Sequence, residues 1–106
     1  MEHATRRKRT RYELLADLLL SSKGGARKTT LMFRANLSFA LLNKYLGLLI
    51  ENGFVDKKGD YFFPNRRGLT YLQKFSRYQS VLEDVNRTEQ TLRSFLTIQE
   101  SVGAAA

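Results

Sequence analysis

Lys23-Gly-Gly-Ala-Arg-Lys-Thr-Thr30 is the stretch of this 106-residue sequence that comes nearest to a chemical motif. Glycines ahead of a Lys-Thr pair are the makings of a loop that cradles phosphates. That loop needs a glycine directly before the lysine, and Arg27 stands there instead. It also follows a strand of a parallel sheet, whereas this segment follows a helical pattern and so short a chain has no room for such a sheet. Nucleotide hydrolysis is not expected. Cysteine is absent, which removes a disulfide framework, a thiolate metal site and a thiol nucleophile. The single histidine, His3, lies at the terminus, so a zinc site, a Ser-His-Asp triad and a histidine base are out of reach. Glu83 and Asp84 are adjacent, point to different sides of a helix, and cannot act as a paired acid and base. An enzyme is not expected, nor a metal, cofactor or small-molecule substrate.

What the sequence does supply is positive charge, 18 Lys and Arg against 10 Asp and Glu for a net +8. The excess is uneven. Residues 1–80 hold 16 basic and 6 acidic side chains, and residues 81–106 hold 2 and 4. With 42% hydrophobic residues, 7 Phe and 5 Tyr, the chain can bury a core and is not a disordered basic tail. No apolar run is long enough to span a membrane, and no signal peptide opens the chain, so a cytoplasmic location is expected. A membrane surface would call for one basic amphipathic helix. Here the cations fall in several separate segments, which suits a surface shaped around the phosphates of a nucleic acid.

These charges need elements to position them. Residues 1–11 read as a basic arm carrying Arg6, Arg7, Lys8, Arg9 and Arg11. A helix follows with Tyr12, Leu14, Leu15, Leu18 and Leu19 at i, i+3, i+4 spacing, broken at Lys23-Gly24-Gly25. A second short helix from about Arg27 to Arg34 turns inward Leu31, Met32 and Ala35. Ser38 is a suitable N-cap for a third, whose expected inner face is Leu41, Tyr45, Leu46, Leu49 and Ile50 and whose end is Gly53. Phe54-Val55 and Tyr61-Phe62-Phe63 read as strands joined by the loop Asp56-Lys57-Lys58-Gly59-Asp60, with Pro64 ending the second and Asn65 capping what comes next.

From about Arg67 to Gln99 a single helix is expected, roughly 50 Å long at 1.5 Å per residue, too long to fold back on its domain. It carries Phe75, Tyr78, Leu82, Val85, Glu89, Leu92, Leu96 and Gln99 at alternating three- and four-residue spacing, a coiled-coil seam. A parallel pair would set Glu89 against Glu89. An antiparallel pair centred near Val85 would match Phe75 with Phe95 and Tyr78 with Leu92, and is preferred. The dimer interface expected is Phe75, Tyr78, Leu82, Val85, Leu92, Phe95 and Leu96.

Three helices followed by a hairpin with a basic loop is the order of a winged helix-turn-helix. The fold class is thus mainly α with a small β-hairpin: an arm over 1–11, the winged helix-turn-helix over 12–66, a coiled-coil helix over 67–101 and a disordered tail over 102–106. The third helix would enter the major groove with Ser38, Phe39, Leu42, Asn43 and Lys44 outward. Asn43 can pair with adenine, Lys44 can reach guanine or phosphate, and Ser38 can bond a phosphate. Phe39 and Leu42 fit core or thymine-methyl contacts. Lys57, Lys58 and Tyr61 would lie along a neighbouring groove or backbone. Arg66 and Arg67 at the wing's base, Arg27, Lys28 and Arg34 beside the second helix, and the arm would meet phosphates, which position a protein without reading sequence.

From Arg6 to about Gln99 the chain resembles the ten-kilodalton winged-helix chromatin proteins of Sulfolobus and related archaea. The likeness lies in RRKRTRYELLADLL, KTTLMFRANLSFALLNKYLGLL, ENGFVDKKGDYFF and the long C-terminal helix. It implies a homodimer joined by an antiparallel two-helix coil, with a winged helix at each end. It also implies abundant, weakly selective binding to double-stranded DNA in the nucleoid, with duplexes bridged or stiffened, and it places Lys44, Lys57 and Lys58 on the DNA. Leu42 and Gly47 depart from the polar residues expected on the outer third helix. A sequence-specific regulator reading bases through Asn43 is the alternative, and a protein-interaction module a more distant one.

Overall fold

The computed structural model describes residues 8–105, with side chains described as far as Leu96. It holds α1 (Arg11–Ser21), α2 (Lys28–Arg34), α3 (Phe39–Glu51), β1 (Val55–Lys58), β2 (Tyr61–Pro64) and α4 (Arg66–Ala105). Two compact units divide the chain, Met1–Phe75 and Ser76–Ala106. The first is a helical domain with an antiparallel hairpin; the second is the remainder of α4. The assigned helix thus extends past residue 101 into the expected tail, where side chains fall outside the described residues.

Local signals account for the helix starts. Thr10 Oγ1 accepts from the Glu13 amide and Glu13 Oε1 accepts from the Thr10 amide, at 3.1 and 2.8 Å, closing a reciprocal capping box. Ser38 Oγ accepts from the Leu41 amide at 3.2 Å at the start of α3, and Asn65 Oδ1 accepts from the Gly68 amide at 3.0 Å at the start of α4. Leu14, Leu18 and Leu19 of α1, Leu31 of α2, Leu42, Tyr45, Leu46 and Leu49 of α3, Val55 and Phe62 form the core.

The inner face of α3 is a correction to the expected one. Leu42 is fully buried, whereas Leu41 and Ile50 are exposed to 40% and 48%. Leu41, Leu42, Tyr45, Leu46, Leu48, Leu49 and Ile50 surround most of this helix, so periodicity alone cannot choose the stripe. Packing against α1 and α2 selects 42, 45, 46 and 49. Phe39, a candidate core residue, is 62% exposed, and Tyr12 of α1 also faces outward.

The wing also differs from its expected form. Lys57 and Lys58 lie within β1 rather than in the loop, paired with Phe62 and Tyr61, and only Gly59-Asp60 turn the chain. Neighbouring strand residues point to opposite faces, so the two lysines do as well. A third extended segment joins the hairpin. The Ala26 amide donates to the Phe62 carbonyl at 3.0 Å and the Phe62 amide to the Ala26 carbonyl at 2.8 Å. Gly25 lies against Phe63, where an added Cβ would come within 2.6 Å of the ring, and its φ of +95° is one that favours glycine.

Gly68 is the second close approach. A Cβ there would sit 2.3 Å from the Phe54 carbonyl oxygen and 3.0 Å from Leu19 Cδ2. Gly68→Ala is therefore expected to destabilise the domain by about 1–3 kcal/mol through overpacking. A thermal melt would show a fall of roughly 4–8 °C per kcal/mol, and an unchanged midpoint would mean that α4 shifts freely. Beyond this contact Tyr71 stacks near Phe54 and Phe75, with ring centroids 5.5 and 6.3 Å away. Its hydroxyl donates to the Tyr12 carbonyl at 2.9 Å. Burial, and then repulsion from Tyr12, raise its pKa above the ordinary tyrosine value.

Candidate nucleic-acid interface

The basic residues divide into two sets by what their side chains touch. Three arginines close helix ends, where carbonyls lack intrahelical partners and the dipole is negative. Arg9 donates to the Ala35 and Asn36 carbonyls at 2.6 and 2.8 Å at the end of α2, and pairs with Asp17 at 2.8 Å. Arg34 donates to the Ser21 carbonyl at 2.9 Å at the end of α1. Arg67 donates to the Asn52 carbonyl at 2.9 Å at the end of α3 and lies over the Phe54 ring. Each was expected among phosphate contacts. Sequence carries no mark of these roles, because the donors lie between 13 and 27 residues from their acceptors.

The second set is exposed, as Arg34 and Arg67 also are, but its contacts lie elsewhere. Lys28 opens α2, and its Nζ donates to Asn43 Oδ1 on α3 at 3.0 Å. Arg27, just before it, stacks on Tyr61 of β2 with its guanidinium 5.1 Å from the ring centroid. Lys57 and Lys58 lie 5.8 and 5.6 Å from the centroids of Phe62 and Phe63. The Ala26–Phe62 bridge holds the start of α2 against the wing. Between them is a cleft of about 360 Å³ lined by Arg27, Lys28, Thr29, Lys57, Asp60 and Phe62. Three cations against one carboxylate give the cleft a net positive charge. Thr29 and Asp60 were not anticipated, and the single-residue bridge that assembles the cleft has no periodic signal.

On α3 the line of residues opposite the buried stripe is Ala40, Lys44, Gly47 and Glu51. Asn43 is exposed beside it, and Ser38 is exposed with its Oγ already accepting at the cap. Lys44 Nζ lies 5.3 Å from the Tyr45 ring centroid. Lys8, Arg11 and Arg66 are exposed, and Arg6 and Arg7 lie outside the described residues. The structure thus brings Arg27, Lys28, Lys57, Tyr61 and Asn43 together, and gives Arg9, Arg34 and Arg67 carbonyl partners at helix ends.

In the second unit the side chains from Ser76 to Leu96 are exposed. Tyr78, Val81, Leu82, Val85, Leu92, Phe95 and Leu96 show between 44% and 60% of their surface. Exposed ion pairs, Arg87 with Asp84 and Arg93 with Glu89, decorate the helix and add little stability. No described helix is long and apolar enough to cross a membrane, and no cluster of metal-ligating side chains occurs among the described residues.

Comparison with known proteins agrees with this geometry. An uncharacterized protein of the archaeon Methanocaldococcus jannaschii is 38% identical over 58 residues, which cover 54% of this chain. The match spans 60% of that relative's length. A family model described as winged helix-turn-helix matches residues 8–83, well over half of the chain and including every element from α1 to the wing. This protein belongs to the winged helix-turn-helix family, a class of DNA-binding domain.

Proposed function

We propose that the protein is a homodimeric architectural protein of the nucleoid that grips double-stranded DNA with little regard for sequence. The observation that carries this reading is the contrast between α3 and its surroundings. The outer line of α3 offers bases Ala40, Lys44, Gly47 and Glu51, which hold few groups able to read an edge. The start of α2 and the wing offer a cationic cleft. Such a surface places its binding free energy on phosphates, which are the same in every sequence. The exposed apolar seam of α4 supports a coil with a second copy, antiparallel about Val85, and two linked domains can then bridge or stiffen duplexes. The likeness to the archaeal chromatin class points the same way. No catalytic role, cofactor or small-molecule substrate belongs to this reading.

Two unrelated duplexes of equal length and similar composition, titrated by fluorescence anisotropy, are expected to bind with similar affinity. A ratio of about 10³ or more would instead identify a sequence-specific regulator, for which exposed Asn43 is the observation in favour. Absence of binding to either at low salt would make the domain a scaffold for a protein partner.

A further inference from the structure

Lys28 stands where α2, α3 and the wing cleft meet. Its side chain lines the cleft, and its Nζ donates to Asn43 Oδ1 at 3.0 Å. An ammonium only donates, so this contact fixes which end of the Asn43 amide faces α2: the oxygen. The position of Lys28 is itself set from the wing side. Ala26 is tied to Phe62 by two backbone hydrogen bonds, and Arg27 is stacked on Tyr61.

Asn43 is the one side-chain amide within α3. An asparagine selects adenine by using both ends at once, the oxygen accepting from the N6 amino group and the nitrogen donating to N7. With Lys28 on Oδ1, the adenine amino group would have to use the oxygen's second lone pair beside a full positive charge, which weakens the accepting half of the pair. The two N–H groups at Nδ2 keep their capacity. Acceptors for them, purine N7 with guanine O6 or thymine O4, occur on every base pair in the major groove.

We propose that Lys28 is a positioning residue that sets specificity: it weakens Asn43 as an acceptor, leaves its donors intact, and so keeps α3 tolerant of sequence. The cleft does not need Lys28 to hold an anion alone, since Arg27 and Lys57 line it as well. This inference rests on the duplex-binding reading above, and it makes low selectivity a property of one contact.

The test is Lys28→Met in the full chain, which keeps the stem and deletes the donor. Wild type and variant are titrated against duplexes that differ only in A·T or G·C pairs at the same positions. Wild type is expected to bind all of them alike. The variant is expected to bind more weakly on average, having lost a cation, and to gain at least about fivefold preference for adenine-bearing duplexes, the low end for one bidentate contact. Adding Asn43→Ala to the variant is expected to erase that gain. A uniform loss without preference, in a wild type that binds duplexes, overturns the role of Lys28 and leaves DNA binding standing. A wild type that binds no duplex overturns both. A readout free of DNA is the Asn43 side-chain amide in a nitrogen–proton correlation spectrum, assigned with Asn43→Ala. It is expected to move on Lys28→Met, and an unmoved resonance overturns the proposal.

Discussion

Affinity for duplex DNA is expected to fall by about 10³–10⁵ between 50 and 200 mM salt, as for a protein making six to ten phosphate contacts. Each contact releases condensed counterions, and added salt opposes that release. The sequence supplies enough candidates beyond the three carbonyl-bound arginines: Lys8 and Arg11, Arg27 and Lys28 at α2, Lys44 on α3, Lys57 and Lys58 in the wing, and Arg66, with Arg6 and Arg7 of the arm expected to add to them. The capping arginines supply a contrast. Lys57→Ala with Lys58→Ala is expected to weaken all duplexes alike and to reduce the salt slope by about 2, one for each lysine. Arg67→Met removes a donor from the end of α3 and is expected to lower the melting temperature. An unchanged slope in the double lysine variant would remove the wing from the interface. A shallow slope in wild type would mean that phosphates do not carry the binding.

Leu82→Asp with Leu92→Asp is expected to give a monomer by sedimentation and to lower duplex affinity by about 10²–10⁴, the range over which linked sites gain by avidity. Both side chains are exposed, at 44% and 56%, and neither belongs to the buried core, so the substitutions are expected to leave the helix-turn-helix fold alone. Their cost to α4 as a helix is about 0.7 kcal/mol or less each. The whole effect should therefore fall on association. In an antiparallel pair centred near Val85, Leu92 meets Tyr78, and a buried carboxylate against that ring has no partner to offset its desolvation. A dimer that survives both substitutions would place the interface off this seam.

The order and type of the elements were legible in sequence because each rests on local signals. A leucine stripe at helical spacing, Ser38 as a cap, the glycine breaks, two aromatic-rich runs around a turn and a proline-free helical stretch from about Arg67 to Gln99 required no knowledge of distant residues. The capping box of Thr10 and Glu13 was there to be read as well, three residues apart. Register was harder. The hairpin turn is shorter than its five-residue polar run, since strand pairing continues through Lys57 and Lys58 to gain ladder hydrogen bonds.

By itself the sequence determined a small, strongly basic winged helix-turn-helix with a long seam-bearing helix, because composition, period and turn chemistry are properties of neighbouring residues. Only the tertiary structure decided which face of α3 is inside, since apolar residues surround most of that helix and packing breaks the tie. It alone decided which arginines bond carbonyls at helix ends and which cations line the wing cleft, since a carbonyl at a helix end finds its donor across space. It likewise decided that Lys28 meets Asn43. That contact spans 15 positions and depends on a bridge between Ala26 and Phe62 that no local pattern announces.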